Sequence, residues 1–332
     1  MYHTKIAGVG HYVPENIITN QDLEKHMDTT DAWITERTGI KERRFFTEGK
    51  DTTALMGVKA AKLAIQRSGI NKDEIDFIIF ATLSPDFYFP GSGVIVQDQL
   101  GLPNIGALDI RNQCSGFIYG LSIADQFIKT GMYKNILLIG SETQSNFIEL
   151  SDRHRNMAVI FGDGAGAVVL SRTDQTNIGI LSTHLHAEGK YAEELINYHP
   201  GTRNKIRITP EMLTDGSILP YMNGNMVFKH AVVRFEEVIR EALDANQLTP
   251  KDIDLLIPHQ ANLRISQFIQ KKFAFPDEKV FNNIQQYGNT TAASIPIALS
   301  EAWEQGLITP GKLICLAAFG SGFTWGSALV KC

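Results

Sequence analysis

The chain has 332 residues, 43% hydrophobic and 20% charged, with a formal net charge of −5. That balance suits a globular chain of two ordinary domains and gives no basic footprint for nucleic acid. No apolar run reaches the ~20 residues that would cross a bilayer, so no membrane span is expected.

Three cysteines, Cys114, Cys315 and Cys332, are too few and scattered for a disulfide framework and lack the paired spacing of a zinc site. The first twenty residues show no basic leader followed by an apolar stretch. The expectation is therefore a reduced cytoplasm and no metal.

Taken in chain order, helical stretches alternate with short β-branched runs, the pattern of an α/β protein. A helical stretch over residues 54–69 leads into the strand-like IDFIIFAT at 75–82. A second strand-like run, IGALDI, precedes Cys114. The helix after it places Phe117, Leu121, Ala124, Phe127 and Ile128 on one face, and Gly131 stops it. NILLIGS then reads as the next strand.

The pattern recurs further along. AIQRSGINKDEIDFIIFAT from Ala64 resembles ALDANQLTPKDIDLLIPHQ from Ala242, an offset of 178 that also carries Lys134 onto Lys312. GDGAGAVVL from Gly162 resembles GFTWGSALV from Gly322, an offset of 160. A shared helix–turn–strand plan implies duplicated halves, 1–172 and 173–332. The two offsets imply about 18 additional residues in the first half, near 143–160.

Cys114 stands between a strand and a helix N-terminus, where the helix dipole favours thiolate and lowers the thiol pKa. Taken alone it fits a buried packing cysteine as well as a nucleophile. Cys315, within the apolar KLICLAAF, reads as packing, and Cys332 is terminal. His259, in PHQAN, falls where the first half has Ala81, at the C-terminal end of a strand, where α/β sheets bind ligands. Asn289, in YGNTTAASIP, reads locally as a turn or cap residue. The 178 offset carries Asn289 to Arg111, three residues before Cys114. In a duplicated plan the three residues therefore converge on one edge. The glycines of AFGSGFTWG suggest either an ordinary Gly-rich hairpin or a tight turn that supplies one donor of an oxyanion hole, the other being the Cys114 amide.

At these motifs the chain resembles the β-ketoacyl-[acyl-carrier-protein] synthase III family. DAWITERTGIKERR, FPGSG, QCSGF, FGDGAGA, GNMVFKHAV, PHQANLRI, YGNTTAASIP and FGSGFTWGSALV follow in order nearly end to end. The resemblance implies a thiolase-like five-layered αβαβα fold and a homodimer, with catalytic Cys114, His259 and Asn289. It also implies Cys114 and Ser321 amides at the oxyanion, Trp33 and Arg37 at the adenine end of coenzyme A, and Asn225 and Asn262 along the pantetheine tunnel. Phe89 matches a residue given to the partner's acyl pocket, and Arg264, Lys271 and Lys272 match a patch that docks acidic acyl carrier protein.

The reaction so implied is decarboxylating Claisen condensation of an acyl-CoA with malonyl-acyl carrier protein, without a cofactor. The chain departs from the family pattern at Arg111, Asn112 and Gln113, where small residues usually stand, and at Ser321, within a usual run of three glycines. QCSG together with FGSG also resembles branches that make specialised products from longer or aromatic donors or a CoA-bound acceptor. A thiolase would need a second catalytic cysteine, and an elongating ketosynthase a histidine in place of Asn289. A chalcone-synthase-like enzyme, a cysteine protease or a non-catalytic partner of another ketosynthase fits the sequence less fully.

Overall fold

The apolar runs lack period-two alternation because both of their faces are covered. In the computed structural model, which describes residues 2–203 and 205–332, they build two sheets. The first holds β1 (His3–Tyr12), β2 (Phe77–Ala81), β3 (Gly106–Ile110), β4 (Asn135–Glu142) and β5 (Gly164–Thr173), in the order β1-β5-β4-β2-β3. β2 pairs in parallel with β3 and β4, while β5 is antiparallel to both of its neighbours. Every residue of β2 and β4 is buried.

The second sheet holds β6 (Gly179–Ala187), β7 (Leu255–Pro258), β8 (Leu313–Gly320) and β9 (Thr324–Lys331), in the order β7-β8-β9-β6. Its strands β7, β8 and β9 start 178, 178 and 160 residues after β2, β4 and β5, and its pairing senses are the same. A lone parallel bridge between Leu256 and Val280 stands where the first sheet has β3. Residues 143–163 join β4 to β5, whereas 321–323 suffice between β8 and β9, so the extra length lies where the offsets put it.

Helices make the other three layers. α1 (Asp31–Thr38) lies beside the sheets, capped by Thr30, whose side chain accepts from the Trp33 amide. α2 (Thr53–Ser68) and α3 (Ser92–Leu100) pack Met56, Ala60, Ala64 and Val96 on the outer face of the first sheet. α4 (Gly116–Lys129) and α7 (Ser294–Glu304) lie between the sheets, where Phe117, Leu121, Leu299 and Ala302 share one core with residues of both. α5 (Gly224–Ala245) and α6 (Leu263–Phe273) cover the outer face of the second sheet through Phe235, Ile239, Ile265 and Ile269. The result is the five-layered αβαβα arrangement. No helix among the described residues is long and apolar enough to cross a membrane.

One charged side chain belongs to this frame. Arg43, in the DAWITERTGIKERR motif, is fully buried and donates to Ile18 O, Asn20 Oδ1 and Val159 O. These bonds fix the segment leading to Phe161, which in turn holds the site.

Candidate active site

Cys114 sits in a tight 3₁₀ turn, Gln113–Ser115, that runs directly into α4. Gln113 has φ of 43°, a left-handed backbone that a side-chain-bearing residue adopts at a cost of roughly 1–2 kcal/mol. Thr291 has φ of 53° in the turn before α7, 178 residues on. The two halves thus use the same strained turn to launch their central helices. The Gln113 side chain lines a cavity beside Cys114.

His259 follows β7 directly, with its backbone N–H donated to Ala317 O at 2.8 Å. Its Nδ1 lies 2.5 Å from Ser294 Oγ, and its Nε2, wholly buried, has no partner among the described residues. Asn289 is clamped through its backbone: its N–H donates to Ile160 O and its carbonyl accepts from Gly162 N–H. Its side-chain oxygen accepts from Thr291 N–H at 2.9 Å, which turns the amide nitrogen towards the sulfur of Cys114. Cys114, His259 and Asn289 line one cavity of about 150 Å³. A second cavity, about 550 Å³ and mostly apolar, is also lined by Cys114, with Leu83, Phe147, Met157 and Leu195 in its wall.

The electrostatics correct one expectation. Burial pushes the Cys114 thiol up to about 12, with the charge of Glu142 acting in the same direction, so the resting thiol is protonated. Its own backbone N–H and Asn289 pull the other way without prevailing. Helix-terminus reasoning alone gave the opposite sign, because it omits the desolvated setting and a carboxylate from a distant strand. Glu142, fully buried, is itself raised to about 7 by burial despite bonds from Ser84 Oγ, Thr82 Oγ1 and Leu83 N. Burial holds His259 down to about 3, so its ring is neutral at ordinary pH.

The turn after β8 closes the site. A Cβ added at Gly320 would stand 2.7 Å from Cys114 Cβ, so only glycine allows this approach. The left-handed position in the turn falls on Gly322, with φ of 136°, and not on Ser321. Serine therefore replaces the usual glycine without backbone strain, and its Oγ donates to Leu195 O at 2.5 Å. Ser321 also lines the larger cavity.

The remaining expected residues are spread around these cavities. Asn262 lines the smaller one, caps α6 by accepting from Arg264 N–H, and donates to Arg37 O at 3.0 Å. Asn225 is exposed on the first turn of α5 and does not line either cavity; its neighbour Gly224 does. Phe89 is 81% exposed and turns away from its own cavity, whose mouth is lined by Phe87 and Tyr88. Trp33 is stacked by Arg37 at 4.6 Å from the ring centroid and by Arg155 at 5.1 Å. Arg264 and Lys271 are exposed without an ion-pair partner among the described residues, whereas Lys272 is held by Glu236 at 3.2 Å.

Four residues escaped sequence reasoning. Arg155 and His154 lie in the extra segment, which the second half of the chain cannot illuminate. His154 lines the larger cavity, with both ring nitrogens engaged by backbone at Glu149 and Pro220. Glu142 ends a buried strand and carried no motif. Phe268, 42% exposed, stands one turn after Arg264 on α6, a spacing that helix periodicity could have revealed.

Comparison with known proteins agrees with this architecture. Residues 108–189 match the family model for 3-oxoacyl-[acyl-carrier-protein (ACP)] synthase III, and residues 243–332 match the model for its C terminal. The chain is 46% identical over 326 residues to the beta-ketoacyl-[acyl-carrier-protein] synthase III of Caldanaerobacter subterraneus subsp. tengcongensis, covering 98% of this chain and 97% of that one. It is 47% identical over 328 residues to the Aquifex aeolicus protein of the same name, covering 99% of each. The crystal structure of 3-oxoacyl-[acyl-carrier-protein] synthase III from Aquifex aeolicus VF5 superposes with a TM-score of 0.90 over 99% of this chain and 100% of that one, at 46% identity. The chain belongs to the 3-oxoacyl-[acyl-carrier-protein] synthase III family.

Proposed function

We propose that the protein is an acyltransferase that starts fatty acid synthesis, condensing an acyl-CoA with malonyl-acyl carrier protein through an acyl-Cys114 intermediate. The observation that carries this reading is the convergence of Cys114, His259 and Asn289, far apart in sequence, on one cavity that shares the Cys114 wall with a second.

Cys114 sulfur attacks the acyl thioester carbon. The Cys114 and Ser321 amides receive the developing oxyanion. As the tetrahedral adduct collapses, the bond to the CoA sulfur breaks, and the proton from Cys114 leaves on CoA–SH. A protonated resting thiol is compatible with this order, because the proton moves as the substrate arrives. Carrier-bound malonate then enters. Breaking its bond to the carboxylate releases CO₂ and leaves the electron pair as an enolate. Its oxygen accepts hydrogen bonds from neutral His259 and from the Asn289 amide, both donors without net charge. The enolate carbon attacks the acyl-cysteine, the C–S bond breaks so that Cys114 leaves as thiolate and takes up one proton from solvent, and a 3-oxoacyl thioester results. Every step uses side chains and amides of this chain, so no cofactor enters the proposal.

Trp33, Arg37 and Arg155 are assigned to the adenine end of coenzyme A, a role supported by their stacked cationic face. Asn262 is assigned to the pantetheine path and Asn225 to its rim. Arg264, Phe268 and Lys271 are assigned to carrier docking. The same reading takes the protein as a cytoplasmic homodimer, with Phe89 entering the partner's larger cavity.

The test is intact-protein mass spectrometry after incubation with acyl-CoAs from acetyl to dodecanoyl, followed by malonyl-acyl carrier protein. A single adduct on Cys114 that disappears as 3-oxoacyl carrier forms is expected. Adduct on another residue, or condensation by a Cys114→Ser variant, would overturn the reading.

A further inference from the structure

Neutral His259 can hold its proton on either ring nitrogen, and only Nε2–H makes it a donor towards the cavity it shares with Cys114 and Asn289. This choice is made by hydrogen-bond partners. Nδ1 has one, Ser294 Oγ, at 2.5 Å. Ser294 is the first residue of α7 and is 2% exposed, so water does not compete.

The hydrogen bonds of Ser294 decide which way that bond runs. Its Oγ also accepts from the Gln260 backbone N–H at 3.4 Å. If Nδ1 carried the proton, Ser294 Oγ would accept twice. Its own O–H would then be buried without an acceptor, because Nδ1 and Gln260 N are its only hydrogen-bond partners among the described residues. If Nδ1 carries the lone pair, Ser294 donates to Nδ1 and accepts from Gln260, and every group on that side is satisfied. The proton of the imidazole then stands on Nε2, which is buried and has no partner among the described residues. That nitrogen is left for the substrate. The first half has no equivalent device, because the 178 offset carries Ser294 onto Gly116, which has no side chain.

We infer that Ser294 is a positioning residue for the condensation half-reaction: its hydroxyl, given to His259 Nδ1, fixes the Nε2–H tautomer that binds the enolate oxygen. The assignment rests on the proposed condensation reaction for its kinetic consequence, but the tautomer itself is read without any reaction.

Two measurements test it. Selective ¹⁵N-histidine labelling reports which ring nitrogen of His259 is protonated in the resting protein. Wild type should show Nε2–H, and Ser294→Ala should lose that bias. In separate half-reactions, Ser294→Ala should slow malonyl decarboxylation roughly ten- to a hundredfold, as losing a partner that orients a metal-bound imidazole does. Acylation of Cys114 should be unchanged, and Ser294→Thr, which keeps the hydroxyl, should recover most of the loss. An Nδ1–H resonance in wild type would overturn the assignment, even where a variant fails to fold. Equal damage to both half-reactions, or unchanged decarboxylation in a folded Ser294→Ala protein, would overturn it as well. Absence of Cys114 acylation in wild type would instead count against the proposed reaction, while the tautomer measurement would still decide the role of Ser294.

Discussion

Gly320→Ala tests how tightly the turn after β8 fixes the nucleophile. The added methyl would meet Cys114 Cβ at 2.7 Å and Cys114 N at 3.1 Å, where ordinary contact begins at 3.4 Å. One of the two backbones must therefore retreat by about 0.7 Å. Strand β8 is paired on both edges and buried throughout, whereas the Gln113–Ser115 turn is one strained loop, so the turn yields. A displacement near 1 Å at a reacting atom costs about 10²-fold in rate, and overpacking costs about 1–3 kcal/mol of stability. Cys114 acylation by acyl-CoA, followed by quenched-flow mass spectrometry, should fall by about that factor. Gly106→Ala serves as control, because its crowding is against the Phe77 ring at the far end of the first sheet. It should lower the thermal midpoint without slowing acylation. Unchanged acylation in Gly320→Ala, or equal slowing in Gly106→Ala, would refute the argument that this contact sets the position of the sulfur.

Burial of Cys114 sets a pH dependence. With the thiol at about 12, alkylation by iodoacetamide should rise about tenfold per pH unit from pH 7 to 9 without levelling, whereas a plateau near 7 would restore the helix-terminus reasoning. Arg264→Glu should raise KM for malonyl-acyl carrier protein about tenfold and leave acyl-CoA use unchanged. Lys272→Glu should do less, because Glu236 already engages that ammonium, and equal effects of the two would argue against the assigned surface. Arg155→Ala should weaken acyl-CoA but not acyl-pantetheine as donor, since it removes one cation from the Trp33 stack, and an equal loss with both donors would refute the adenine assignment. Met157→Trp narrows a cavity of about 550 Å³, which at roughly 30 Å³ per small group has room for far more than acetyl. Dodecanoyl transfer should fall while acetyl transfer persists, as read from the mass of the adduct.

Much of this was legible in the chain. β2, β4, β7 and β8 stood out because strands covered on both faces must be continuously apolar, and the 178 offset then tied the halves together. The change to 160 located the extra segment, since only an insertion between β4 and β5 shifts β5 against β9. What stayed hidden depends on neighbours that the chain brings from afar. The sign of the Cys114 shift is decided by burial and by Glu142, 28 positions away on another strand. The exposure of Asn225 depends on where α5 begins, which Asn223 fixes by capping its first turn. Arg155 and His154 fall in the unduplicated segment, so no second copy could point to them. Ser321 departs from the usual run of three glycines at no backbone cost, because only Gly322 needs the left-handed backbone.

The duplication also explains why the chemistry is divided between the halves. Both retain the positive-φ turn at the start of a central helix, at Gln113 and at Thr291, so the backbone device is common property. The side chains placed on it differ. Cys114 is answered in the second half by Ala292, His259 in the first half by Ala81, and Asn289 by Arg111. Placed in opposite halves, Cys114 after β3 and His259 after β7 line the same smaller cavity as Asn289, and Cys114 lines the larger cavity as well. In the proposed reaction, a substrate acylating Cys114 and a second one losing CO₂ beside His259 then use the same cavity in succession. The two halves need to be similar in backbone and different in side chains for that succession to work.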